Sequence, residues 1–214
     1  MGFGLLEKLG WQSSQADGAK KEPTEKELLA LHHYQSGLAL ATDSLYDEAL
    51  EEFKQAIKKN SEFAEAHNEL GRTYQRLGQI DKAVKSYQAA LRIDPRNVKA
   101  YNNLGIAHDS AGEFLQAIKM YMKALRLKPE AHEVRNNLGM AYFSVGSYAE
   151  AVKAYNQVLQ ASPDDAQAHY GLGRVYVDLK NQELALEHHS ALLKSGQTEA
   201  ARQLLEEINK EVSE

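Results

Sequence analysis

From about residue 30 onward, apolar residues return every three or four positions, the spacing of one face of an α-helix. His67, Leu70, Gly71 and Tyr74 lie along one such face, and Ala83, Tyr87, Ala90 and Leu91 along the next. Gly78 interrupts the pattern between them, as Gly112 and Gly146 do further on. The pattern predicts pairs of amphipathic helices joined by glycine-containing turns.

The pairs recur. Pro95, Pro129 and Pro163 stand 34 residues apart, and Leu70-Gly71, Leu104-Gly105, Leu138-Gly139 and Leu172-Gly173 keep the same step. Gly37 continues the glycine series backwards, with Ser36 in place of leucine. Ala49, Ala83, Ala117, Ala151 and Ala185 form another series. Phe53, Tyr87, Tyr121 and Tyr155 form an aromatic one, which His189 continues imperfectly. A fixed period of this length marks a repeat architecture, in which each unit stacks on its neighbours. Five units follow, 30–63, 64–97, 98–131, 132–165 and 166–199. Glycine inside a helix costs about 1 kcal/mol against alanine. Its return at one repeat position predicts a close helix–helix approach, with the Phe or Tyr of the partner helix beside it.

The series of Leu-Gly, tyrosine, alanine, aromatic and closing proline resembles the tetratricopeptide repeat across 170 of the 214 residues. The resemblance implies an all-α fold, a right-handed superhelical solenoid of antiparallel helix pairs. It implies too that the first helix of each pair lines a concave groove and the second lies on the convex side. The two end units depart most: Ser36 and Ser61 replace the leucine and proline in the first, and the last ends in Gly196. Atypical ends are the rule in repeat arrays, because they meet solvent or a cap.

The flanks read differently. Residues 1–11 form a short apolar segment with Phe3, Leu5, Leu6, Leu9 and the single tryptophan, Trp11. Residues 12–23 are small and polar and read as a flexible linker. Thr24 with Glu27 has the spacing of a capping box, so the repeat region, 24–199, opens there. Residues 200–214 carry Ala201, Leu204, Leu205, Ile208 and Val212 on one stripe, a capping helix over the last unit, with Thr198 as its expected N-cap.

Composition narrows the function. The chain has no cysteine, which removes disulfides, thiolate zinc sites and cysteine nucleophiles. Its net charge of −5 does not suit a nucleic-acid binder. Units two and three are each +2 between acidic ends, and their excess Lys and Arg fall largely on second helices, expected to be solvated. No apolar run reaches the length of a membrane span and no secretory signal opens the chain, so the expectation is a cytoplasmic protein with no integral membrane segment. The eight histidines lack metal spacing. His33, His67 and His169 share a repeat position with Tyr101 and Arg135, as a packing site does. Neither a phosphate loop nor a nucleophile elbow is present. No catalytic, cofactor or metal site is expected.

What remains is the variable face of the first helices. Asn68, Asn102 and Asn136 form one series at the repeat period, and Asn103 and Asn137 a second. An amide donates and accepts, so such a ladder can hold the backbone of an extended peptide. It can equally bond neighbouring helix ends or water. This resembles the asparagine ladders of some members of the family. Ile106, Met140, Phe143 and Val177, with Tyr170 beside them, are expected to expose an apolar cluster, and exposed apolar patches mark interaction sites. Arg72 and Arg174 complete the expected peptide-binding groove. The Lys/Asn pair of the family's clamp for chaperone C-terminal carboxylates is missing from every unit. The expected function is a non-enzymatic scaffold that binds a peptide segment of a partner protein in assembly of a larger complex. The alternatives are a self-assembling module, through Phe3, Leu6, Leu9 and Trp11, or a regulatory subunit of an enzyme on another chain.

Overall fold

The structure, a computed structural model, describes residues 23–213. The expectations for residues 1–11 and for most of the linker lie outside the described residues. Eleven helices and no strand are found among the described residues. They are α1 Glu25–Thr42, α2 Tyr46–Lys59, α3 Ala64–Arg76, α4 Ile80–Ile93, α5 Val98–Ser110, α6 Phe114–Leu127, α7 His132–Ser144, α8 Tyr148–Ala161, α9 Ala166–Asp178, α10 Gln182–Lys194 and α11 Thr198–Ser213. The odd-numbered helices from α3 to α9 start 34 residues apart, and so do the even-numbered ones from α2 to α10. Turns of three residues join each first helix to its second, which makes each pair an antiparallel hairpin.

One turn chemistry closes all five first helices. The residue after the C-cap adopts a left-handed φ: 62° at Ser44, 71° at Gly78, 74° at Gly112, 73° at Gly146 and 56° at Lys180. Its amide and the next one fold back onto the last turn, as Gly78 N to Gln75 O at 3.0 Å and Gln79 N to Tyr74 O at 2.9 Å show. This is the Schellman arrangement, which satisfies carbonyls the helix leaves open. The second helices α4, α6 and α8 end otherwise, in an extended or near-extended residue followed by a two-residue turn that holds Pro95, Pro129 or Pro163. The repeat position shared by the histidines ties these turns down. His67 Nε2 bonds Ser61 O at 3.0 Å, His169 Nε2 bonds Pro163 O at 2.8 Å, and Arg135 donates to Pro129 O.

The chain divides within α5 into two compact units, the first ending at Ala107 and the second beginning at His108. In the first, Thr24 caps α1 with the reciprocal Glu27 bonds of a capping box. α1 packs on α2 and α3 on α4, while α2 and α1 both touch α3. Phe53 and Tyr87 are fully buried between the helices of their hairpins. A Cβ on Gly37 would stand 2.7 Å from the Phe53 ring, and one on Gly71 would stand 2.6 Å from the Tyr87 ring. Glycine is therefore required here by close approach, as the sequence predicts. The polar atom is matched as well: Tyr87 donates to Gln75 Oε1 at 2.9 Å, whereas Phe53, with no hydroxyl, has Ala41 at the corresponding position.

The second unit repeats the scheme from α6 to α10. Tyr155 packs on Gly139, with a would-be Cβ 2.8 Å from its ring, and Tyr121 donates to Asp109. The last hairpin has His189 at the equivalent place, in place of Phe or Tyr, and Leu204 of α11 sits against Gly173. Ala201, Leu204 and Ile208 are buried against Ala185, Leu192 and Val177, so α11 covers α9 and α10. Gly196, with φ 76°, ends α10 in a sixth Schellman turn and turns the chain toward α11. Thr198 is not the N-cap: it is already helical, and Ala201 N bonds Gln197 O at 2.9 Å.

Candidate functional site

All twelve residues expected in the groove lie on first helices, α3, α5, α7 and α9. In the first unit, Asn68 is only 5% exposed. Its amide nitrogen donates to Glu69 Oε1 at 3.2 Å, and its oxygen accepts from Asn103 Nδ2 at 3.0 Å. Glu69 in turn accepts from Arg72 at 2.6 Å. A polar chain thus runs from α5 across α3 to an exposed arginine. Asn102 is buried, and Asn103 and Ile106 are half-buried. A cleft of about 160 Å³ opens where α1, the start of α2 and α3 meet, lined by Leu38 and Ala41, by Tyr46, and by Arg72 and Arg76.

In the second unit, Asn136 is 2% exposed and donates to Asp165 Oδ1 at 3.0 Å. That oxygen also accepts from Ala168 N at 2.8 Å, so Asn136 braces the cap of α9. Asn137 is buried too. The asparagines therefore differ from an open ladder of amides. Asn68, Asn102, Asn136 and Asn137 are covered in the fold. Asn68 and Asn136 bond within the chain, the other use the sequence left open.

The apolar expectation divides. Met140 is exposed, at 41%. Phe143, three residues on, is half-buried against Tyr148 and under the Arg174 guanidinium, which lies 4.7 Å from its ring centre. Val177 is not exposed: it belongs to the core beneath α11, with Leu204 and Ile208. The stripe on α11 foretold a cap, but not how far it reaches over α9. The same helix supplies a residue that sequence reasoning missed. Glu207 accepts from Tyr170 Oη at 2.8 Å and from Arg174 Nε at 3.2 Å. Its signal was its place beside Leu204 and Ile208, on the flank of the buried stripe. Burial first, and then the Glu207 carboxylate, raises the Tyr170 phenol above its ordinary range. The structure thus brings Phe143, Tyr170 and Arg174 together, and Met140 stands one turn before Phe143 on α7.

Elsewhere, His169 and His188 meet through their Nδ1 atoms at 3.0 Å. Because His169 donates from Nε2 to Pro163 O, His188 is the donor between them. Tyr176 stacks on His188 with ring centres 5.6 Å apart. Burial first, and then His169, pushes His188 down to about 4. No group of three or more His, Asp or Glu that could hold a metal occurs among the described residues. No described helix is long and apolar enough to cross a membrane.

Residues 45–78 and 139–180 match the family described as TPR repeat, and residues 62–130 match the one described as tetratricopeptide repeat. The fold is shared with solved structures. MamA is 24% identical with a TM-score of 0.70, over 77% of this chain and 96% of that one. YrrB, described as a TPR protein with an unusual peptide-binding site, is 22% identical with a TM-score of 0.69, over 83% and 92%. TTC0263, a thermophilic TPR protein of Thermus thermophilus, is 23% identical with a TM-score of 0.65, over 84% and 98%. No curated protein matches the chain.

Proposed function

The chain belongs to the tetratricopeptide-repeat family, and from that premise we propose that it is a cytoplasmic, non-enzymatic scaffold. It holds a peptide segment of a partner protein against the exposed side of its first helices, in assembly of a larger complex. The observation that carries this reading is Met140. A large apolar side chain 41% exposed on a first helix, beside the half-buried Phe143, offers a partner an anchor. That a related fold, YrrB, is described with a peptide-binding site supports the same reading.

Met140→Ala separates an anchor from a core residue. The partner is captured from lysate of the source cells on wild-type protein, purified, and titrated against both forms by calorimetry. An anchor loses about 1–3 kcal/mol of binding while the melting temperature stays within a degree or two. A sharp fall in melting temperature with unchanged affinity assigns Met140 to packing and sinks the reading. Phe143→Ala is the less clean variant, because Phe143 also supports Tyr148 and Arg174.

A further inference from the structure

A carboxylate is already bound in this region, and its surroundings describe a ligand. Tyr170 and Arg174 lie one turn apart on α9 and point their donors at one place, where Glu207 sits. Arg174 is held from two sides, by the Phe143 ring at 4.7 Å and by the bond from its Nε. An arginine stacked on an aromatic ring is pre-oriented, so less freedom is lost when it binds. Its two terminal nitrogens have no partner among the described residues, and the side chain is 37% exposed. Those nitrogens form the end of the guanidinium fork that takes a carboxylate in paired bonds. Glu207 itself is held by the bonds from Tyr170 and Arg174 and is partly open to water. Its side chain is also 37% exposed, and the packing of that helix is carried by Leu204 and Ile208.

We propose that Tyr170 and Arg174 form a receptor for an acidic side chain of the partner peptide, with Glu207 as its tethered occupant. This rests on the groove reading above and names the partner's chemistry: an internal glutamate or aspartate next to an apolar residue that covers Met140. Binding exchanges one carboxylate for another. Glu207 turns out to water, and the incoming group takes the Tyr170 hydroxyl and the Arg174 fork. A swap of like charge costs little, since an exposed ion pair is a weak bond. Glu207 therefore acts as a threshold, rejecting neutral peptides that do not replace what they displace.

The test is a random twelve-residue peptide library displayed with blocked C-termini, so that only side-chain carboxylates are offered. It is panned on the full chain and on Arg174→Ala. The expected result is that wild type enriches peptides with an acidic residue beside an apolar one, and that Arg174→Ala does not. The best peptide, synthesised with an amidated end, should bind Glu207→Gln about twofold to fivefold tighter, the scale of an exposed ion pair. It should bind Arg174→Ala about tenfold or more weaker, with Arg174→Lys between. Enriched peptides without an acidic residue overturn the receptor, as does an affinity unchanged in Glu207→Gln or Arg174→Ala. If such neutral peptides still need Met140, the groove reading stands alone. A library from which wild type enriches nothing overturns both.

Discussion

Ser44 and Lys180 occupy a backbone conformation that their counterparts Gly78, Gly112 and Gly146 adopt without strain. A Cβ in the left-handed region costs about 1–2 kcal/mol. Glycine relieves that cost but adds freedom to the unfolded chain, worth about 0.4–1 kcal/mol. Ser44→Gly and Lys180→Gly should therefore each stabilise the fold by about 0.5–1 kcal/mol, or roughly 1–4 °C in a chain of this size. Differential scanning calorimetry checks it, and a lower melting temperature in either variant means that the turn is not strained there. The ion pair that Lys180 makes with Glu211 does not change the sign, because the lysine is 81% exposed.

At the scale of the element, α11 shows what a terminal helix must do. Leu204 is fully buried and stands against Gly173, where earlier hairpins set an aromatic ring. Leu204→Ala should cost about 2–5 kcal/mol, read from urea unfolding as a lower midpoint. An unchanged midpoint would show that α11 is ornament. The α9–α10 hairpin has a pH dependence of its own. His188 stays neutral in the fold down to about 4, against an ordinary value of 6.5. Its folded pKa is depressed, and it is a base, so the unfolded chain binds the extra proton. The stability it secures is present above pH 6.5 and is lost as pH falls from 6.5 toward 4. Allowing for partial exposure, the loss is on the order of 1–2 kcal/mol. Thermal melts of wild type and His188→Gln at about pH 7 and about pH 4.5 check it: the variant should lose less between the two. Equal losses would remove His188 as the cause.

These elements also mark how far the sequence could be read. The helix pairs, their glycine contacts with Phe53, Tyr87 and Tyr155, and the Thr24 capping box were legible, because each depends on neighbours within one hairpin or one turn. Burial of Asn68, Asn136 and Val177 was not. It depends on how closely successive first helices pack and on how far α11 reaches over α9, and the repeat period is silent on both. Glu207 was missed for the same reason, since its partners lie 33 and 37 residues earlier on another helix.

For the whole molecule, four tyrosine rings packed among the helices have a consequence in alkali. Tyr34 and Tyr87 in the first unit, and Tyr121 and Tyr155 in the second, all have phenols raised well above 10, with burial the largest cause. Each must stay protonated to remain where it is. Their folded pKa values exceed the unfolded one, so the stability they hold is complete below about pH 10 and drains away as pH rises beyond it. Both units contain the same kind of group, and both should unfold in the same alkaline window. The phenolate ion absorbs at longer wavelength than the phenol. These four phenols should ionise only as the helices part. An absorbance titration should therefore contain a rise that coincides with loss of the helical circular dichroism signal. A single wave near about pH 10 with helicity intact would mean that the rings are not sealed. The protein thus carries its own unfolding dye, placed by the repeat in each unit.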